Sequence, residues 1–219
     1  AQAPDYSYLK GDITQAYTRK VEEAKRSFVF LNLKSETVPA ALIVYDKIGF
    51  QSDFRKYWLL HSIEEPTLEG NTFIVRRTKD GDSGMLHNTV LLPQADNLRI
   101  DKVGGPGKEN WVFGTNYPND AVALILTMPT SAEPGGEVSP VAPAVTDNFL
   151  NVIQVADNRC NRLNAVQRIE DDRIVGVQLA DRVVTFARSS EPLQKDFITV
   201  NGTGTYKFVI TDLKAGTGK

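Results

Sequence analysis

The chain has 219 residues, of which 41% are hydrophobic and 24% charged, enough apolar content to bury a substantial core, so disorder is not expected. A formal net charge of −2 gives no global positive field for nucleic acid or an anionic membrane surface. No stretch approaches the roughly 18 apolar residues of a membrane span, and the single cysteine, Cys160, cannot close an intrachain disulfide and reads as a buried, inert thiol.

In chain order, Gly11-Asp12-Ile13-Thr14-Gln15 offers an Asp cap with Gln three residues later, and Ile13, Ala16 and Tyr17 follow at helical spacing. This predicts one short helix over residues 12–18. From Arg26 onward the pattern becomes β-like. Phe28-Val29-Phe30-Leu31, Ala41-Leu42-Ile43-Val44-Tyr45 and Tyr57-Trp58-Leu59-Leu60 are short, rich in aromatic or β-branched residues, and separated by polar segments, which is the signature of strands. Further strands are expected at residues 72–75, 85–92, 98–103, 111–113 and 121–127. Turn signals fall between them, notably Lys79-Asp80-Gly81-Asp82-Ser83-Gly84 and Gly104-Gly105-Pro106-Gly107.

Residues 129–143 contain Pro129, Pro134, Gly135, Gly136, Pro140 and Pro143. Proline cannot donate to a central ladder, so this segment is expected to be a long loop or linker. Beyond it, strands are expected at residues 149–155, 173–179, 182–187, 197–200 and 206–211, with hairpin connections at Asn201-Gly202 and at Leu179-Ala180-Asp181-Arg182. Short strands without intervening long helices predict an all-β fold of layered antiparallel β-sandwich-like sheets, with at most one or two short helices. A main sheet region over residues 1–165 and a smaller antiparallel sheet region over 166–219 are expected.

Chemistry-bearing residues are sparse. The two histidines, His61 and His87, have no histidine- or cysteine-rich spacing around them, which leaves a conventional zinc site unsupported. His61 closes the Tyr57-Trp58-Leu59-Leu60 run, where a hydrogen-bonded strand-end histidine competes with a substrate contact. Strand alternation places His87 on one face with Met85 and Thr89, either as ordinary sheet surface or as an acid or base.

Glu64-Glu65 precede Pro66 and read as a solvated turn, because adjacent residues of an extended chain point opposite ways. Asp80 and Asp82 lack the full ligand pattern of an EF-hand, and Gly104-Gly105-Pro106-Gly107-Lys108 lacks Walker spacing. Trp111, Asn116 and Tyr117 can supply the aromatic faces and side-chain amide of a sugar-contacting surface, in competition with core packing of Trp111.

Asp5-Tyr6-Ser7-Tyr8-Leu9-Lys10-Gly11-Asp12, then Lys25-Arg26-Ser27-Phe28-Val29-Phe30-Leu31, resemble the β-sheet region of bacterial heparinase II/III-like lyases. In the same order come Ala41-Leu42-Ile43-Val44-Tyr45-Asp46-Lys47, Lys56-Tyr57-Trp58-Leu59-Leu60-His61-Ser62, Leu91-Leu92-Pro93 and Val103-Gly104-Gly105-Pro106-Gly107. The resemblance is clearest over residues 5–118 and weaker beyond.

The resemblance implies a longer enzyme with an N-terminal α/α toroid joined to β-sheet domains, cleaving uronic-acid-containing polysaccharides by β-elimination. It implies a periplasmic or secreted location. It also places the family's catalytic Tyr and His residues, and the His/Asp cluster that holds a divalent metal such as zinc, upstream of this segment. No catalytic or metal-ligand role passes to residues of this chain, no cofactor is expected within it, and the chain alone is expected to be inactive. His61, His87, Trp111, Asn116 and Tyr117 are the candidate substrate contacts. The expected partners are an acidic polysaccharide and the upstream toroid and β-sheet segment. A stand-alone carbohydrate-binding or cell-surface module is the competing expectation, since a β-sandwich supports many functions.

Overall fold

A computed structural model describes residues 4–62, 64–78, 81, 83–103, 111–112, 115–116, 135–160, 162–193, 198–200 and 202–215. The main sheet has seven strands in the order β1 (Tyr6–Asp12), β2 (Val21–Asn32), β3 (Ala40–Phe50), β12 (Thr146–Ala156), β7 (Gly84–Leu92), β6 (Thr72–Arg77) and β5 (Thr67–Glu69). Every neighbouring pair in it is antiparallel. A second sheet orders β4 (Trp58–His61), β11 (Gly135–Pro140) and β8 (Leu98–Val103), and a third orders β13 (Val166–Glu170), β14 (Ile174–Leu179), β15 (Arg182–Ala187) and β16 (Lys207–Ile210). A short ribbon pairs β9 (Trp111–Val112) with β10 (Thr115–Asn116).

The central strands dictate this layering. Phe28-Val29-Phe30-Leu31, Ala41-Leu42-Ile43-Val44-Tyr45 and Val152-Ile153 are continuously apolar, so both faces of β2, β3 and β12 carry hydrophobic side chains. On one face Val29, Leu31, Ile43, Leu150 and Val152 meet Val175, Val177, Leu179, Val184 and Phe186 of the third sheet. Tyr45 and Phe186 stack across that interface at 5.0 Å and 23°. On the opposite face Phe73, Val90 and Phe149 meet Trp58 and Val138 of the second sheet. The result is three layers of β-sheet, with each fully buried Val, Leu or Phe contributing about 1.5–3 kcal/mol.

The expected helix over residues 12–18 is reduced to a single 3-10 turn at Thr14–Ala16. The cap position falls on Ile13, without a side-chain cap bond, rather than on Asp12; Asp12 Oδ1 instead accepts from Thr14 N at 3.1 Å and Thr14 Oγ1 at 2.6 Å in an Asx turn. Thr14 Oγ1 in turn accepts from the Ala24 amide at 2.9 Å, and pairing of β1 with β2 holds the segment extended. Tertiary pairing thus overrides local helix propensity.

The Pro/Gly-rich stretch is also corrected. Its residues 135–140 form β11, the middle strand of the second sheet, flanked by β4 and β8, while residues 141–143 are not strand. Pro140 stands at the strand's last position, opposite Leu98 alone, so the interior of the ladder keeps its donors. The strand expected at residues 121–127, Phe113 and Asn201 lie outside the described residues.

Residues 198–200 form no strand, and β16 runs parallel to β15, so a crossover replaces the hairpin expected at Asn201-Gly202. The other hairpin stands: Ala180 and Asp181 join β14 to β15, with Ala180 at φ 52°, the left-handed geometry that a primed turn requires. Cys160 is partly exposed rather than buried, its Sγ 3.3 Å from the Arg162 carbonyl, because it sits in the turn that leaves β12. Among the described residues no helix is long and apolar enough to cross a membrane.

Candidate functional site

His61 is exposed at the end of β4 and lines an open cleft of ≈ 320 Å³ with Leu60, Ser62, Glu64, Val75, Arg77 and Leu86. Glu64 accepts from Arg77 Nη1 at 3.0 Å, so one side of the cleft is an ion pair and the other is apolar. The neighbouring Glu65 pairs separately with Lys102 at 2.6 Å, which holds its carboxyl below the usual range. The two glutamates therefore serve different cations and do not form a carboxylate pair.

His87 stands on the other face of the main sheet. Leu86 lines the His61 cleft, and consecutive strand residues point opposite ways; His87 lies between Ile74 and Gln154 in the ladder. Its Nε2 is buried without a hydrogen-bond partner. The nearest polar neighbour in register, Gln154, is engaged at both ends of its amide by Asn164, at 3.0 and 3.1 Å. Burial, reinforced by the positive charge of Arg76, pushes the His87 pKa down.

An imidazole that takes up its proton at lower pH in the fold than in the unfolded chain makes stability depend on pH. The unfolded state binds the extra proton as pH falls below 6.5, so stability is present above that value and is lost on the acid side. His87→Gln is expected to flatten this loss in thermal melts between pH ~7.5 and ~5. A slope unchanged by the substitution would refute the burial account.

Trp111 and Asn116 are brought directly opposite each other in the β9–β10 ribbon, while Tyr117 lies outside the described residues. Neither Asp80, Asp82 nor the 104–108 glycine segment is described. Among the described residues no group of three or more His, Cys, Asp and Glu side chains could hold a metal ion. The divalent metal implied by the resemblance therefore has no fitting donor set there, and no chemical step is assigned to it.

A polar cluster that sequence reading did not single out lies where β2 and β3 meet the third sheet. Lys10, Lys25 and Lys47 line one small pocket with Glu23, Asp212 and Tyr45. Burial pushes the Glu23 carboxyl up, but hydrogen bonds from Lys25, Lys47 and Ser190 outweigh it and leave the pKa at about 2. Lys25 and Lys47 bond Glu23 at 2.8 and 2.9 Å, and Lys10 pairs with Asp212. Each carboxylate of this cluster is paired with at least one lysine, and the Lys10–Asp212 contact ties the main sheet to the third.

These features define a layered all-β protein whose described residues hold no assembled acid/base or metal constellation. Comparison with known proteins gives it relatives. Residues 168–218 match the family described as the heparinase II C-terminal domain. That match falls on the third sheet, beyond residues 5–118 where the sequence wording is most similar.

Among solved structures, the Heparinase III-BT4657 gene product superposes with a TM-score of 0.52 at 10% identity, covering 84% of this chain and 26% of that one. The heparan sulfate lyase HepC from Pedobacter heparinus gives a TM-score of 0.52 at 13% identity, covering 85% and 27%. The chain thus resembles part of heparinase II/III lyases in fold and spans about a quarter of their length. No curated protein sequence matches it.

Proposed function

We propose that this chain is the noncatalytic β-sheet portion of a polysaccharide lyase that acts by β-elimination on uronic-acid-containing polysaccharides, where it supports the fold and one side of the substrate cleft. In this reading the rest of the parent chain, an upstream toroid and β-sheet segment, supplies the base, the acid and the metal. Fold-level similarity to the two lyases supports the class.

One observation carries the reading. The face of the main sheet that packs on the second sheet continues as an apolar face across β1, β2, β3, β12 and β7, half-buried at Phe28, Leu42, Ile153 and Leu86 and exposed at Leu9, Phe30 and Val155. Register sets Leu9 opposite Phe28, Phe28 opposite Val44, Phe30 opposite Leu42, Leu42 opposite Ile153, and Leu86 opposite Val155. Leu9 is 65% exposed, Phe30 47% and Val155 38%. An antiparallel sheet with one face in water sets polar side chains there; a contiguous apolar face is an interaction surface.

Co-expression with the upstream part of the parent gene tests this, with unsaturated uronate product followed by absorbance. The chain alone is expected to give none and the pair to turn over. Leu9→Asp with Phe30→Asp is expected to lower assembly and turnover at least ~10-fold, about 1.4 kcal/mol, while leaving the melting temperature of the isolated chain unchanged. Product from the chain alone, or assembly indifferent to both charges, would overturn the proposal.

A further inference from the structure

One edge of the main sheet carries an open row of backbone groups. Among the described residues β1 pairs with β2 alone and ends the sheet. The flanking bonds show which of its backbone groups are used. The Asn32 amide donates to the Asp5 carbonyl at 3.0 Å, and the Ile13 amide to the Ala24 carbonyl at 2.8 Å, both in register with β1. In an antiparallel ladder such pairs alternate with pairs whose N–H and C=O point away from each other. Ser7, Leu9 and Gly11 therefore bond β2, and Tyr6, Tyr8, Lys10 and Asp12 direct their amides and carbonyls outward.

Nothing in β1 discourages a further strand. Natural edges are blunted by proline, by a bulge or by an outward lysine. The 7 residues of β1 contain no proline, and their register with β2 is unbroken. The Lys10 ammonium is drawn off to Asp212, just past β16. Around the free backbone Tyr6, Tyr8 and Leu9 are all exposed.

We infer that this edge pairs with the same edge of a second copy of the chain, antiparallel about a two-fold axis at Leu9, so that one sheet runs through both molecules. Self-complementary register selects the second copy as occupant. With the two Leu9 residues opposite each other, Tyr8 stands opposite Lys10 of the second copy and Tyr6 opposite its Asp12. Every outward residue of β1 then exchanges both main-chain hydrogen bonds. The lysine ammonium meets a tyrosine ring, and the tyrosine hydroxyl donates to a carboxylate. Sliding two residues one way sets Lys10 against Lys10, like charges that oppose pairing. Sliding two the other way sets Asp12 against Pro4, which has no N–H to give. On the opposite face Leu9 meets Leu9 beside Phe28 of each chain, which covers an exposed apolar side chain. The pairing needs only the edge of β1 and forms in the chain by itself, whether or not a catalytic portion docks on the apolar face.

Sedimentation equilibrium of the chain alone is expected to show a dimer with a micromolar dissociation constant. Tyr8→Pro removes an outward N–H, leaves the bonds to β2 in place, and is expected to weaken the dimer at least ~10-fold. Tyr8→Lys, opposite Lys10 of the second copy, is expected to weaken it as well, whereas Tyr8→Glu at the same exposed position holds or tightens it. In a Cys160→Ser background, mild oxidation is expected to cross-link Leu9→Cys through a disulfide and to leave Ser7→Cys uncross-linked, because only the residue on the axis meets its own copy. A chain monomeric at roughly 100 µM, a dimer indifferent to Tyr8→Pro and to the sign of charge at position 8, or cross-linking as ready from Ser7→Cys as from Leu9→Cys would overturn the inference. So would a monomer whose β1 edge is taken by a co-expressed upstream segment, with that binding lost in Tyr8→Pro.

Discussion

Lys56→Ala is expected to destabilise the chain by about 3–5 kcal/mol, because it strands a buried carboxylate. Lys56 is 3% exposed and Asp147 8%. The ammonium has three donors, and its three bonds go to Asp147 Oδ2 at 2.8 Å, the Ala144 carbonyl at 2.6 Å and the Phe54 carbonyl at 3.1 Å. The Phe50 ring lies 4.8 Å from Nζ. Without Lys56, Asp147 keeps only the Ala144 amide, at 3.2 Å.

The pair itself need not stabilise the fold relative to an apolar one, since desolvating two ions offsets their attraction. The double change Lys56→Met, Asp147→Leu is therefore expected to recover most of the loss, to within about 1 kcal/mol of the parent. Urea midpoints at constant m-value measure both. A single-variant cost below about 1 kcal/mol would mean that Asp147 finds water or another partner.

Gly176→Ala is expected to cost about 3 kcal/mol or more, the upper end of overpacking. Gly176 lies in β14, paired with Ile169 on one side and Thr185 on the other. A Cβ there would come within 2.1 Å of the Val184 carbonyl oxygen and 2.9 Å of Thr185 Cα. Both obstacles are backbone, so relief requires β14 and β15 to separate and the third sheet to lose its register over the main sheet. Gly84→Ala is the control: nothing lies within 4 Å of its Cβ position, and its effect is expected within about 0.5 kcal/mol. Near-equal melting temperatures for the two variants would contradict the close-approach account.

Much of the candidate chemistry was not legible in residue spacing. His61 and His87 drew attention as the two histidines of the chain, yet Leu86 and His87 point to opposite faces, so the two imidazoles cannot act on one substrate. Arg77 and Glu64 gained meaning only when β4 and β6 closed the His61 cleft between them. By local pattern Arg182 belongs to the hairpin that joins β14 to β15 and Tyr6 to a short aromatic run near the N-terminal end of the sequence. They meet because β1 and β16, 202 residues apart at the Asp5–Lys207 contact, are the edges of two stacked sheets. No local pattern encodes that juxtaposition.

The sequence by itself determined the all-β class, the core strands and the hairpin joining β14 to β15. Apolar runs, β-branched residues and turn chemistry act over a few neighbours, and each strand's preference is carried by its own side chains. It also carried, in continuous rather than alternating apolar runs, the fact that the central sheet is hydrophobic on both faces.

Only the tertiary structure decided that residues 135–140 form a middle strand, that β16 joins β15 in parallel, and that residues 12–18 stay extended around one 3-10 turn. In each case long-range ladder hydrogen bonds and shared burial outweigh preferences of about a kilocalorie per residue. The same long-range packing leaves Leu9, Phe30 and Val155 uncovered while it buries Arg182, because exposure depends on which layers stack over a residue.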